Sequence, residues 1–241
     1  MAGKDKLIFA ADFPSLETAK PYIEPLIGRI GLVKFGKQMI YAEGLPNLMQ
    51  FAKMNGVDVF LDVKDIDIPN TMAGAANALV AHGATMFNVM ASAGIPSMRQ
   101  SVKNKGEALV LAVTVLTSLD DENCFTALGA PARAKVLQYA RDAKYVGVDG
   151  VVCPPPELPV LMGEEELRGL LKVTPGIRPK GAPQDDQRRT ATAFEAAFAG
   201  ADYLVIGRPL GEQAKGRQAE VAERFADEFD EGLAKRVAAS R

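Results

Sequence analysis

Eight times along this chain a short apolar run gives way to a helical pattern, and this rhythm restricts the fold more than any other feature of the sequence. The runs cover residues 7–12, 31–36, 57–61, 84–90, 108–116, 150–153, 170–175 and 203–207. They are nearly continuous rather than alternating, as expected of parallel strands buried on both faces. Helical stripes lie between them. Ser15 is placed to cap a segment carrying Leu16, Ala19, Ile23 and Leu26. Further patterns run over 45–56, 69–82, 95–102, 132–146, 158–162, 193–199 and 217–237, while 117–129 reads as a polar stretch. No linker or shift in composition divides the 241 residues. The expectation is an α/β fold, a single (β/α)8 TIM barrel spanning residues 1–241, a length that suits such a barrel. A doubly wound open sheet is the runner-up. It would need about five or six strands and a Gly-rich first turn, and no such turn follows Asp12.

Charge excludes several functions. The formal net charge is -2 with both signs interleaved, so no basic block points to nucleic acid. No apolar run reaches the ~18 residues of a membrane span. The first residues lead directly into a strand and lack the pattern of a signal peptide. Cys124 and Cys153 are too few for a disulfide framework and have no metal-ligand spacing. A soluble, reduced, cytoplasmic protein is expected. The one histidine, His82, precedes Gly83 at a helix C-terminus, where a cap and a favourable dipole contact account for it. Acid–base chemistry therefore falls to Lys, Asp or Glu.

In a (β/α)8 barrel the active site lies at the C-terminal ends of the strands. Asp12, Lys34, Asp62 with Lys64, Asn88, and Thr117 with Ser118 follow the first five strands in turn; Arg178 follows the seventh and Arg208 the eighth. The third strand is the densest, running Asp62-Val63-Lys64-Asp65-Ile66-Asp67 into Ile68-Pro69-Asn70-Thr71. Residues i and i+2 of a strand share a face, so Asp62 and Lys64 are expected side by side. Opposite charges at a buried strand end cost several kcal/mol unless paired. Gly207-Arg208 and Thr174-Pro175-Gly176-Ile177-Arg178 occupy strand ends where barrels often bind phosphate. The polar, Gly-containing loop from Pro179 to Arg189 reads as a lid.

These motifs resemble the orotidine 5'-phosphate decarboxylase family along essentially the whole chain. The centre is D-x-K-x-x-D-I-P-x-T, here Asp62 to Thr71. Asp12, Lys34 in Val-Lys-Phe-Gly, Leu116-Thr117-Ser118, Thr174 to Arg178, Asp186-Gln187 and Ile206-Gly207-Arg208-Pro209 complete the match. The chain departs from the family after Arg189, where Thr190-Ala191-Thr192-Ala193 replaces a common Thr-Pro and is expected to alter the helix start. The resemblance implies decarboxylation of orotidine 5'-phosphate to uridine 5'-phosphate in pyrimidine biosynthesis, with no cofactor and no metal. It implies Lys64 as the proton donor to C6, Asp62 against the substrate carboxylate and Lys34 holding the array together. It places Asp67 at the ribose of a neighbouring subunit's substrate in a homodimer. Asp12 and Thr71 would meet the ribose, and Thr117 and Ser118 the pyrimidine. Gln187, Gly207 and Arg208 would hold the phosphate, with Arg178 nearby. D-x-K-x-x-D also occurs in sugar-phosphate decarboxylases and aldolases of related barrels, so a Mg2+-dependent enzyme of that kind is an alternative. A non-catalytic nucleotide-binding barrel is another.

Overall fold

The structure of the chain is a computed structural model that describes residues 2–181 and 190–239. The strands are β1 (Leu7–Ala10), β2 (Leu32–Gly36), β3 (Asp58–Asp65), β4 (Met86–Met90), β5 (Leu109–Val113), β6 (Gly150–Val152), β7 (Leu171–Thr174) and β8 (Tyr203–Ile206). They pair in chain order, all parallel, and β8 closes on β1 through Leu7 with Leu204 and Phe9 with Ile206. Closure removes the open-sheet alternative.

Alternation along the strands divides the core in two. Ile8, Leu32, Phe60, Met86, Leu111, Val173 and Val205 point inward and fill the barrel. Their chain neighbours, such as Phe9, Val33, Leu61 and Phe87, point outward into a larger shell beneath the helices. Both faces of each strand are thus dry, which explains the continuous apolar runs.

The connecting helices are α1 (Leu16–Ile23), α2 (Lys37–Asn55), α3 (Pro69–Ala81), α4 (Gly94–Lys103), α5 (Asp121–Leu128), α6 (Ala132–Val146), α7 (Leu158–Gly163), α8 (Ala193–Ala199) and α9 (Gln218–Ala239). Ser15 caps α1 by accepting from the Thr18 N–H. Pro69 opens α3 and His82 is its C-cap, with Gly83 following at φ 90°. Thr192 and Glu195 form a capping box at α8, so the unusual 190–193 segment starts that helix without a proline.

Two helical stretches lie outside the sequence expectation. α2 begins at Lys37, well before 45, because Gly44 (φ 71°) kinks it and Pro46 starts its second half. The polar stretch 117–129 contains α5, capped by the Asp120 carboxylate on the Asn123 N–H and ended by Gly129 at φ 79°. α5 buries only Cys124, so it shows no apolar stripe. Most of the expected lid, with Gln187, falls on 182–189, outside the described residues.

Candidate active site

The inward positions one step above the apolar barrel layer are polar. Leu32 is followed two residues later by Lys34, Phe60 by Asp62, and Met86 by Asn88. Period-two alternation therefore directs these side chains to the C-terminal mouth of the barrel. There they line a cavity of about 500 Å³ with Asp12, Lys64, Thr117, Arg178, Gly207 and Arg208. The apolar part of its wall includes Ala10, Phe60, Val113, Val152 and Val205.

Asp62 is the hub. One carboxylate oxygen, Oδ2, pairs with Lys34 Nζ at 3.0 Å. The other, Oδ1, accepts from Lys64 Nζ at 2.5 Å and from Asn88 Nδ2 at 2.6 Å. Lys34 also donates to Asp12 Oδ1 at 3.1 Å. The result is a chain of alternating charge, Asp12–Lys34–Asp62–Lys64, across β1, β2 and β3. Lys34 and Asp62 are both buried, at 7 % and 9 % exposure. Burial alone would raise the Asp62 carboxyl, but Lys34 and then Lys64, with hydrogen bonds from Lys64 and Asn88, hold it far below the usual carboxylate range. Burial likewise opposes the Lys34 ammonium, and the Asp62 and Asp12 carboxylates outweigh it and raise that group above its ordinary value.

The Asp62–Lys64 contact is the one expected from strand spacing, but the backbone reaches it differently. Lys64 has φ 49°, the left-handed region, and among the described residues it is the only non-glycine with positive φ. The β3–β4 register runs Leu61 with Phe87 and then Asp65 with Val89, four residues on β3 against two on β4. Lys64 sits in this irregularity. A left-handed lysine costs roughly 1–2 kcal/mol, and strain of this kind gathers at functional sites.

Gly36 is a further part of the site that spacing alone did not single out. A Cβ there would lie 2.9 Å from Asp12 Oδ1 and 3.2 Å from Lys34 Nζ. A side chain there would press on that ion pair and force the ends of Asp12 and Lys34 to shift. Gly207 differs, because a Cβ there would meet only Ala10 Cβ at 3.7 Å, an ordinary contact. The packing of the chain itself does not require glycine at 207.

Asp67, Thr71 and Ser118 do not line this cavity. Asp67 is exposed, and its Oδ1 accepts from the Ile68 N–H at 2.7 Å. Thr71 is exposed in the first turn of α3, and Ser118 is exposed beside the half-buried Thr117. Arg178 is buried, with Nη1 donating to the Ile177 carbonyl, while Arg208 reaches the surface. Among the described residues no cluster of three or more His, Cys, Asp or Glu is arranged to hold a metal.

The chain is similar to known proteins over most of its length. A family model described as orotidine 5'-phosphate decarboxylase / HUMPS family matches residues 5–225. The chain is 42% identical over 212 residues to an orotidine 5'-phosphate decarboxylase of Anaeromyxobacter dehalogenans, covering 87% of this chain and 92% of that one. It is 43% identical over 221 residues to the Rhodopseudomonas palustris protein of the same name, covering 90% and 92%. A crystal structure of orotidine 5'-phosphate decarboxylase from Lactobacillus acidophilus superposes with a TM-score of 0.79 at 29% identity, covering 93% of this chain and 98% of that one. With a closed eight-stranded barrel and a charged mouth of this composition, the chain belongs to the orotidine 5'-phosphate decarboxylase / HUMPS family.

Proposed function

We propose that this chain decarboxylates orotidine 5'-phosphate to uridine 5'-phosphate in pyrimidine biosynthesis, with Lys64 as the proton donor. The observation that carries the reading is the Lys64 ammonium, held at the cavity mouth by a buried carboxylate whose other oxygen is already paired with Lys34. The bond from C6 to the carboxylate breaks, carbon dioxide leaves and the electron pair stays on C6. That carbanion has little delocalisation, so nearby positive charge must stabilise it. A fixed ammonium does this without reorganising during the reaction. The same group then transfers its proton to C6, forming the C–H bond and leaving a neutral amine. The apolar wall near Phe60, Val113 and Val205 lowers the local dielectric and strengthens this effect. Asp62 both orients Lys64 and crowds the departing carboxylate.

The remaining roles follow the family. Asp12 meets the ribose, Thr117 the pyrimidine, and Gln187, Gly207 and Arg208 the phosphate, with Arg178 beside them; Thr71 and Ser118, which the resemblance assigns to ribose and pyrimidine, lie outside this cavity. Phosphate lies far from C6, and its binding energy can be expressed in the transition state. Arg208→Ala should therefore impair handling of the nucleotide while leaving the weak reaction of the corresponding nucleoside almost unchanged. Loss of a charged hydrogen bond suggests a fall in kcat/KM of roughly 10–150-fold. Equal responses of nucleotide and nucleoside would place the phosphate elsewhere.

The reading includes a homodimer in which Asp67 is handed to the neighbouring site. Its support is that Asp67 faces away from its own cavity and is flanked by Ile66 and Ile68, which are 58 % and 66 % exposed. Apolar side chains of that size beside an exposed carboxylate suit a subunit contact. Mixing inactive Lys64→Ala and Asp67→Ala subunits should restore activity, because a mixed dimer holds one intact site. Absence of any recovery after subunit exchange would count against sharing. The pathway fits a cytoplasmic setting, and among the described residues no helix is long and apolar enough to cross a membrane.

The Mg2+-dependent rival is disfavoured by the engagement of Asp62. Both of its oxygens already serve ammonium groups, which a divalent cation would have to displace. The non-catalytic rival gives no reason to keep a strained lysine beside that carboxylate.

A further inference from the structure

We propose that Asn88 is a positioning residue for proton delivery, fixing both the backbone and the charged end of Lys64. The inference rests on the reading of Lys64 as the proton donor.

Asn88 is 1 % exposed on β4, with its side chain directed into the barrel mouth. Its carboxamide makes two contacts of opposite sense. Oδ1 accepts the Lys64 backbone N–H at 2.7 Å. Nδ2 donates to Asp62 Oδ1 at 2.6 Å. The orientation is forced, because a backbone N–H can only donate and an ionised carboxylate can only accept. A short amide carrying both a donor and an acceptor is needed here. Aspartate would keep the acceptor and lose the donor, serine has a shorter reach, and leucine would supply neither group.

The first contact explains how Lys64 keeps φ 49°. The register irregularity between Leu61 and Asp65 takes the Lys64 N–H out of the regular β3–β4 ladder, and Asn88 supplies the missing acceptor. The second contact fixes the same Asp62 oxygen that holds Lys64 Nζ. One side chain thus determines where the lysine leaves the backbone and where its ammonium ends. Asp62 is held by Lys34 from β2 and Lys64 from β3 as well, so Asn88 is the neutral third partner from β4. A proton donor displaced by about 1 Å can lose 100-fold in rate.

The test uses Asn88→Ala and the isosteric Asn88→Asp in the full-length protein. In both, kcat for orotidine 5'-phosphate should fall about 100-fold, while KM and the affinity for uridine 5'-phosphate change less than about threefold. The Asp variant should also move the acid limb of kcat to higher pH, because a second carboxylate beside Asp62 disfavours its ionised form. Should the alanine variant fail to fold, the aspartate variant still reads out both effects. An unchanged kcat in a folded variant, or a rise in KM with kcat intact, would overturn the positioning role. Lys64→Ala run alongside separates the two claims: if that variant stays active, the proton-donor reading fails, whereas an inactive Lys64→Ala beside a fully active Asn88→Asp removes only the role of Asn88.

Discussion

Replacing Lys64 with alanine is expected to abolish turnover while a substrate analogue or uridine 5'-phosphate still binds. Two contributions vanish together. Proton transfer from a positioned acid is worth about 10²–10⁴-fold, and preorganised charge at a developing anion about 10²–10³-fold. The combined fall in kcat should therefore exceed roughly 10⁴-fold. Binding should survive, because on the proposed assignment the phosphate and ribose contacts lie elsewhere in the cavity. Stability should fall modestly, since the left-handed strain sits at Cβ and persists in alanine, while the buried Asp62 carboxylate loses one of its two ammonium partners and keeps Lys34. Isothermal titration with uridine 5'-phosphate beside a turnover assay separates binding from chemistry. A collapse of nucleotide binding in step with kcat would assign Lys64 to ground-state recognition instead.

The second large effect is expected at Asp62, and it concerns stability as much as rate. Asp62→Ala strands the Lys34 ammonium, buried at 7 % exposure, with Asp12 as its remaining charge partner at 3.1 Å. Removing one member of a buried pair costs about 3–5 kcal/mol. For a chain of this size that corresponds to a fall in Tm of roughly 6–20 °C. Asp62→Asn keeps the size and should lose less. The two groups also give the stability a definite pH dependence. The Asp62 carboxyl is depressed below its ordinary 3.8, so its contribution is present above about pH 4 and is lost as pH falls through the depressed value. The Lys34 ammonium is raised above 10.5, so its contribution is present below that pH and is lost as pH rises through the raised value. Urea denaturation at pH 7 and pH 3 should therefore find wild type and Asp62→Asn well separated at pH 7 and closer at pH 3. A gap of equal size at both would show that the ionised carboxylate contributes little.

The barrel was legible because each parallel strand is dry on both faces, so eight apolar runs stand out between helical stripes. The charged mouth was legible for a related reason. Lys34 and Asp62 stand two residues beyond inward apolar positions, and a charge there has few structural explanations. What stayed hidden depends on backbone detail. Extended spacing brings Asp62 and Lys64 to one face, but no local signal marks a lysine for the left-handed region, since glycine and asparagine are the residues that adopt it readily. Asn88 read as one more polar strand end, because its two contacts depend on a register shift in the neighbouring strand. Gly36 read only as the end of the second strand, and its closeness to the ion pair appears only once Asp12 is folded against it. The kink at Gly44 concealed the first half of α2, and a single buried Cys124 gave α5 no stripe to read. Asp67 was placed near the cluster by spacing, yet its side chain is exposed and accepts from the Ile68 N–H instead.

The most direct test of the account is the loss of orotidine 5'-phosphate absorbance catalysed by purified wild-type protein and by Lys64→Ala, each with excess EDTA. Wild type should convert the substrate to uridine 5'-phosphate and carbon dioxide one for one, at a rate the chelator does not change, while Lys64→Ala shows no conversion. Near-normal decarboxylation by Lys64→Ala, loss of wild-type activity with EDTA, or nucleotide binding by wild type without release of carbon dioxide would each contradict it.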